Sequence, residues 1–258
     1  MVLKNISGYI FDLEGVFFKD YHLLPGGKEI IEILKSKGIP FVFLSNLTTK
    51  TPGEIHSILM SAGIYVDKEQ IITSSILVRD YLKTNYPNAN IKVFGSKALK
   101  SFIHEEYRVG VSEVDVVVIG MDPKISIADL SSIRKHIQDG KKVVFTNPDY
   151  YSPSINGFEF ECGVMVELFR PHLKEEPLII GKPSNFSFEY AIKKLNIPRE
   201  FIAMIGDTYE TDIKGAHSAG ILPIHLQTTD DENYNREMYD AHEYKDLQEL
   251  HKELKASI

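Results

Sequence analysis

Cysteine is nearly absent from this 258-residue sequence: Cys162 stands alone, which excludes an intrachain disulfide framework and a zinc site built from several cysteines. Long apolar runs are missing as well. The longest, Val116 to Met121, falls far short of the ~20 residues a membrane-spanning helix needs. Basic runs are scarce too: no Lys/Arg stretch exceeds a pair, and 29 Lys+Arg against 36 Asp+Glu give a formal charge of −7. That balance repels a polyanion, so no nucleic-acid partner is expected. It leaves a small phosphorylated ligand compatible, because one lysine and a metal ion can reverse the field locally. The amino-terminal Met1-Val-Leu-Lys-Asn-Ile-Ser-Gly has neither a basic region followed by an apolar stretch nor a small-residue cleavage site. A cytoplasmic protein without a membrane partner is therefore expected. The nine histidines form no His-Glu-x-x-His spacing, and no Gly-x-Ser-x-Gly elbow supports serine hydrolysis.

What is present is an ordinary globular composition, 43% hydrophobic and 25% charged, at a length between one large domain and two ordinary ones. Short β-rich runs alternate with segments of helical period, the pattern of a parallel sheet with crossover helices. The runs are Gly8–Phe11, Pro40–Leu44, Ile91–Phe94, Val114–Gly120, Lys142–Thr146, Pro177–Ile180, Phe201–Ile205 and Ile221–Leu226. Thr51-Pro52-Gly53-Glu54 predicts a helix start with a capping box, with Ile55, Ile58 and Leu59 on one face and Gly63 as the stop. Ala191, Ile192 and Leu195 predict a second core-facing stripe before Asn196, and His217 falls in a further helix. The acidic, Tyr-rich stretch 227–243 reads as a solvated loop with a short closing strand.

Four of these runs end at once in polar groups: Phe11-Asp12, Leu44-Ser45-Asn46, Gly181-Lys182 and Gly206-Asp207. Any one could be a turn or cap residue. Together, as adjacent strand ends of one sheet, they would line the crevice where open α/β sheets bind ligands. Asp12 and Glu14 in Asp12-Leu-Glu14-Gly15 suit a nucleophile and a general acid/base, with Gly15 allowing a sharp turn. Attack of a carboxylate on a dianionic phosphate is opposed by like charge, about 4 kcal/mol for unit charges ~4 Å apart at an effective dielectric of 20. Such a site requires cations. Asp12 and Asp207 offer hard oxygens to Mg²⁺, and Lys182 a fixed positive charge.

Asp12-Leu13-Glu14-Gly15-Val16, Ser45-Asn46, Lys182-Pro183 and Gly206-Asp207-Thr208-Tyr209-Glu210-Thr211-Asp212-Ile213 resemble, in that order, the four motifs of the haloacid-dehalogenase-like hydrolase superfamily. Leu24-Pro25-Gly26, Thr146-Asn147-Pro148-Asp149 and Gly215-Ala216-His217-Ser218-Ala219-Gly220 resemble its NagD-type, para-nitrophenylphosphatase-like subfamily. The resemblance implies an α/β fold: a Rossmann-like parallel-sheet core with helices on both faces, formed by residues 1–73 and 177–258, and an inserted smaller α/β cap over 74–176. It implies Mg²⁺-dependent hydrolysis of a small phosphorylated metabolite through an aspartyl-phosphate on Asp12. Ser45 and the backbone amide of Asn46 would hold phosphate oxygens, and Lys182 would neutralise charge on nucleophile and phosphate. The metal would sit on Asp12, the backbone carbonyl of Glu14 and Asp207, with Asp212 orienting a metal-bound water or Lys182. Glu14 would serve as acid and then base.

Two positions depart from the pattern. Glu14 stands where the phosphatases have Asp, displacing the carboxylate by a methylene, and Leu47 stands where the subfamily commonly has a further Asn. Slow or specialised hydrolysis is expected, with a weakened phosphate- and Mg²⁺-binding or regulatory protein, or a phosphoryl transferase of the same fold, as alternatives. In the cap, Asn147, Asp149 and the Tyr150-Tyr151 pair are candidate polar tips, read equally well as turn residues and surface aromatics. Homo-oligomerisation is left open by the sequence.

Overall fold

The computed structural model describes residues 2–20, 22–107, 113–154, 157–228 and 239–257. The chain opens with strand β1 (Gly8–Phe11), the short pair β2 (Phe18–Lys19) and β3 (His22–Leu23), helix α1 (Gly27–Ser36), β4 (Phe41–Ser45), α2 (Pro52–Ser61) and β5 (Ile71–Thr73). Next come α3 (Ser74–Asn85), β6 (Ile91–Phe94), α4 (Lys97–His104), β7 (Val116–Ile119), α5 (Ile127–Gln138), β8 (Lys142–Phe145), the hairpin β9 (Tyr151–Ser154) and β10 (Gly157–Phe160), and α6 (Cys162–Phe169). The remainder holds α7 (Asn185–Leu195), β11 (Ile202–Gly206), a π-type turn (Tyr209–Ile213), α8 (Lys214–Ala219), β12 (Leu222–Leu226), β13 (His242–Tyr244) and α9 (Leu247–Ser257).

A six-stranded sheet in the order β13-β12-β11-β1-β4-β5, parallel throughout, is built from both ends of the chain. Successive residues of a strand point to opposite faces. Phe11 and Phe43 accordingly join α1, α2 and α9 through Ile30, Ile31, Leu34, Ile55, Leu59, Leu250 and Leu254. On the other face Ile10, Val42 and Leu44 meet α3, α7 and α8 through Leu77, Val78, Phe188, Ala191, Ile192 and Ala216. Helices therefore cover both faces, as the fold class requires. The local signals hold: Thr51 and Glu54 form the reciprocal cap of α2, and α7 ends at Asn196 in the left-handed conformation, φ 55°.

A second, three-stranded parallel sheet, β6-β7-β8, packs α5 and α6 on one face through Ile133, Ile137, Met165 and Val166. Its other face, Val116, Val118 and Val144, shares one apolar cluster with α3, α4 and the six-stranded sheet. The cap is thus seated on the core by continuous packing.

One strand expected in the main sheet lies elsewhere. Pro177–Ile180 does not enter the six-stranded sheet, because the place beside β4 is taken by β5, a three-residue strand that the sequence patterning does not reveal. The segment instead runs along the edge of the smaller sheet. Phe145 N donates to Leu178 O at 2.9 Å, Ile180 N to Phe145 O at 3.1 Å, and Gly181 N to Thr146 O at 2.8 Å. Within 227–243, residues 229–238 lie outside the described residues; the closing strand is β13. Among the described residues no helix is long and apolar enough to cross a membrane.

Candidate active site

Asp12 follows the central strand β1, whose residues are all buried, and its amide extends the pairing by one bond to Ile205 O at 2.9 Å. The chain then folds back on itself: Phe17 N and Phe18 N both donate to Leu13 O, and Leu13, Val16 and Phe17 sink into the core. Gly15 makes this turn with φ +77°, and any Cβ there would overlap the Asp207 carboxylate. Glycine is required twice over, for the backbone angle and for the approach of Asp207. The Asp-x-Glu-Gly motif is therefore one side of a cradle whose other side begins at the end of β11.

Lys182 joins these parts electrically. Its Nζ lies 2.7 Å from Asp12 Oδ1 and 2.6 Å from Asp212 Oδ1, with the lysine 2% exposed and Asp212 fully buried. Gly206 makes room for Asp212, since a Cβ there would overlap its side chain, and the amide of Thr208 donates to Asp212 Oδ2 at 3.2 Å. Burial alone would lower the lysine pKa, but Asp12 and then Asp212 overcome it and hold the ammonium well above its ordinary value. Burial pushes Asp12 up to about 6 against the pull of Lys182. It also raises Asp212, again opposed by Lys182.

Ser45, buried at the end of β4, accepts the amide of Leu47 at its Oγ, 3.2 Å away. The side chain of Asn46 is directed elsewhere: it bonds the main chain of Lys182, the Ser74 hydroxyl and Asp149. Only its backbone amide is left for the role the resemblance implies. Leu47 packs against the core cluster and lines the cavity.

A cavity of about 230 Å³ opens between core and cap. Asp12, Glu14, Ser45, Asn46, Lys182 and Asp207 all line it, whereas Asp212 stands behind Lys182. Of the cap candidates, Asn147, Asp149 and Tyr151 reach the cavity and the exposed Tyr150 does not. Sequence reasoning missed Asp20, Thr49, Ser152, Glu159 and Glu161. The alternation in Glu159-Phe160-Glu161 was a usable signal: a strand places the two acids on one face and leaves Phe160, 69% exposed, on the other. Burial first, then the charge of Asp12, raises Glu14 to about 7. Glu161 is raised to about 7 by burial and then by Asp149, against the Ser152 hydroxyl 3.3 Å away.

The donor set suits a hard divalent cation. Among the described residues Asp12, Asp207 and Asp212 bring carboxylate oxygens within 4.8 Å of one another, all three side chains buried. Such an all-oxygen set, with room made by Gly15, matches the ligand preference of Mg²⁺.

The sequence matches the family described as haloacid dehalogenase-like hydrolase over residues 9–107 and the HAD-hydrolase-like family over 179–247. The acid sugar phosphatase of Staphylococcus saprophyticus is 29% identical over 98% of this chain and 99% of its own length. That of Staphylococcus epidermidis is 30% identical over 95% and 96% respectively. The 4-nitrophenylphosphatase of Thermotoga maritima superposes with a TM-score of 0.89 at 29% identity, covering 98% of each chain. NagD of Escherichia coli K-12 shares the fold with a TM-score of 0.82 at 24% identity, over 95% of this chain and 98% of its own. With the four motifs gathered around one cavity and likeness along nearly the whole chain, this protein belongs to the haloacid dehalogenase-like hydrolase family, in its NagD and 4-nitrophenylphosphatase branch of phosphatases.

Proposed function

We propose that the protein is a cytoplasmic phosphoric monoester hydrolase acting on small phosphorylated metabolites, sugar phosphates foremost, with residues 1–73 and 177–258 as catalytic core and 74–176 as cap. The observation that carries this reading is the buried Asp12–Lys182–Asp212 arrangement at the mouth of β1, a carboxylate nucleophile with its countercharge already in place. Names of relatives, acid sugar phosphatase and 4-nitrophenylphosphatase, support the substrate class.

In the proposed sequence Asp12 attacks phosphorus while the bond to the leaving oxygen breaks, and that oxygen takes a proton from Glu14. A water then gives a proton to the Glu14 carboxylate and attacks the aspartyl-phosphate, releasing inorganic phosphate and restoring Asp12. A group that must be acid and then base works best with a pKa near the working pH, and Glu14 at about 7 meets that condition. Lys182 offsets charge on Asp12 and the incoming phosphate, Ser45 and the Asn46 amide hold phosphate oxygens, and Asp212 fixes the lysine. Mg²⁺ held by Asp12, the Glu14 backbone carbonyl and Asp207 would supply the remaining positive charge against the dianion.

The test is phosphate release from para-nitrophenyl phosphate and a panel of sugar phosphates, with and without Mg²⁺. Asp12→Asn is expected to lose at least about 10⁴-fold in kcat, and chelation to abolish turnover until Mg²⁺ is restored. Undiminished activity in Asp12→Asn overturns the nucleophile assignment.

A further inference from the structure

The side-chain amide of Asn46 has no unused bonding capacity. Its Oδ1 accepts from Lys182 N at 2.8 Å and Ser74 Oγ at 3.1 Å, and its Nδ2 donates to Asp149 Oδ2 at 2.7 Å and Lys182 O at 3.0 Å. An amide offers two hydrogens and two lone pairs, and all four are spent. Three separate stretches of chain meet on this one group: the first residue of α3, where the chain enters the cap; Lys182, where it returns to the core; and Asp149, from the cap loop after β8. Gly181 allows the meeting, because a Cβ there would overlap Asn46 Oδ1 and Ser74 Oγ and stand 2.6 Å from Thr146 O. Asp149 is itself braced: its Oδ2 also accepts from Asn147 Nδ2 at 2.7 Å, and Asn147 Oδ1 accepts from Thr146 Oγ1 at 2.6 Å. A second tie joins the same core loop to the cap, with Ser96 Oγ donating to Thr48 O at 2.6 Å.

We propose that Asn46 and Asp149 are positioning residues that form a latch: the cap's carboxylate sets the Asn46 amide, and the amide in turn clamps both main-chain polar groups of Lys182. Seating the cap and aligning the lysine with Asp12 then become one event. Neither side chain touches the reacting atoms in this role. A neutral acceptor at 149 suffices, because what Asp149 supplies is an acceptor for the two amide donors and not its charge. The activity readouts rest on the proposed hydrolase function; the exchange readout does not.

The test compares Asn46→Ala, which keeps the backbone amide, with Asp149→Ala, Asp149→Asn and the double alanine variant. Phosphate release from para-nitrophenyl phosphate and hydrogen exchange at the Lys182 amide are measured on the full chain. Displacing a catalytic group by ~1 Å costs roughly 10²-fold, so kcat is expected to fall about 100-fold in Asn46→Ala with KM changed less than about threefold. Asp149→Ala should lose about tenfold or more, Asp149→Asn should recover most of that loss, and the double variant should be no worse than Asn46→Ala, because the two act in series. Exchange at Lys182 should quicken at least about tenfold in both single alanine variants. The latch is overturned if Asp149→Asn is as impaired as Asp149→Ala, if the two losses multiply, or if exchange at Lys182 is unmoved by Asp149→Ala. A wild-type chain that releases no phosphate overturns the hydrolase reading, and exchange at Lys182 then decides the latch alone.

Discussion

The two ends of the cavity handle negative charge in opposite ways. At the core end Asp12 and Asp212 share the Lys182 ammonium at 2.7 and 2.6 Å. At the cap end Glu161 faces a hydroxyl and Asp149 is held by two amides. Of the described residues lining the cavity, seven carry carboxylates and Lys182 alone carries an ammonium. Concentrated acid has a different consequence in each place. Under the proposed function, beside the lysine and the carboxylates that would hold Mg²⁺ it would make a seat for a dianion; away from them it would make a wall against a second one.

The largest expected effect comes from erasing the difference. Lys182→Met leaves two buried carboxylates without their countercharge, and removing one member of a buried ion pair costs about 3–5 kcal/mol. Turnover should fall at least about 10³-fold, since a preorganised charge aimed at the transition state is lost. The stability loss should shrink in acid, because the stranded carboxyls take up protons and become neutral, and return as pH rises and they ionise. Urea unfolding of wild type and variant at about pH 5 and about pH 8 checks the sign. A deficit independent of pH would show that the lysine holds the fold by packing alone.

Glu14 sits between the two ends, and substitutions there sharpen the comparison. Glu14→Gln keeps the shape and removes the proton; general acid–base catalysis is typically worth 10²–10⁴-fold, so a fall of about 10²-fold or more in kcat is expected. Glu14→Asp tests reach. A loss of about tenfold is expected if the longer side chain is matched to this cavity, in line with the rate cost of displacing a catalytic group. A gain in turnover would instead mark Glu14 as a weakening replacement and favour a protein that holds phosphate more than it hydrolyses it.

Much of the core end was legible because its signals are local. An apolar run that stops at Asp12, Ser45 or Asp207 is visible in a few residues, as is the cap of α2 at Thr51 and Glu54. What escaped depends on distant pairing. Strand β5 has three residues, too few to display a period, and exists by pairing Ile71–Thr73 with Phe43–Ser45. By taking that edge it sends the segment before Lys182 to β8, so the lysine reaches Asp12 from the cap side. The four bonds of the Asn46 side chain run to partners 28, 103 and 136 residues away, and no local pattern encodes them. The cap end was the least legible: Glu161 gains its meaning only when the hairpin β9–β10 folds over the core.

That acidic wall predicts a selectivity, the smallest of these effects and the one that isolates the cap end. A carboxylate on the leaving group, held ~6 Å from one ionised cap glutamate at an effective dielectric of 20, is opposed by about 3 kcal/mol, roughly 10²-fold. Glucitol 6-phosphate and 6-phosphogluconate are both open-chain, share the phosphate position and differ only by a hydroxymethyl group against that carboxylate, which stays ionised above about pH 5. Because a carboxyl that titrates near 7 takes up a proton at about pH 8 for only about 1.4 kcal/mol, the neutral compound should be favoured about tenfold in kcat/KM there, and Glu161→Gln should remove most of that preference. The pH dependence has a definite sign. Glu161, raised to about 7, is neutral below that value and charged above it, so wild-type discrimination should grow as pH rises from about 5.5 to 8 and flatten in Glu161→Gln. Changes in the chemical step that affect both compounds cancel in the ratio, which leaves repulsion at the leaving group as what is read. A ratio that neither pH nor Glu161→Gln moves would place the leaving group away from Glu161 and leave the core end to set specificity by itself.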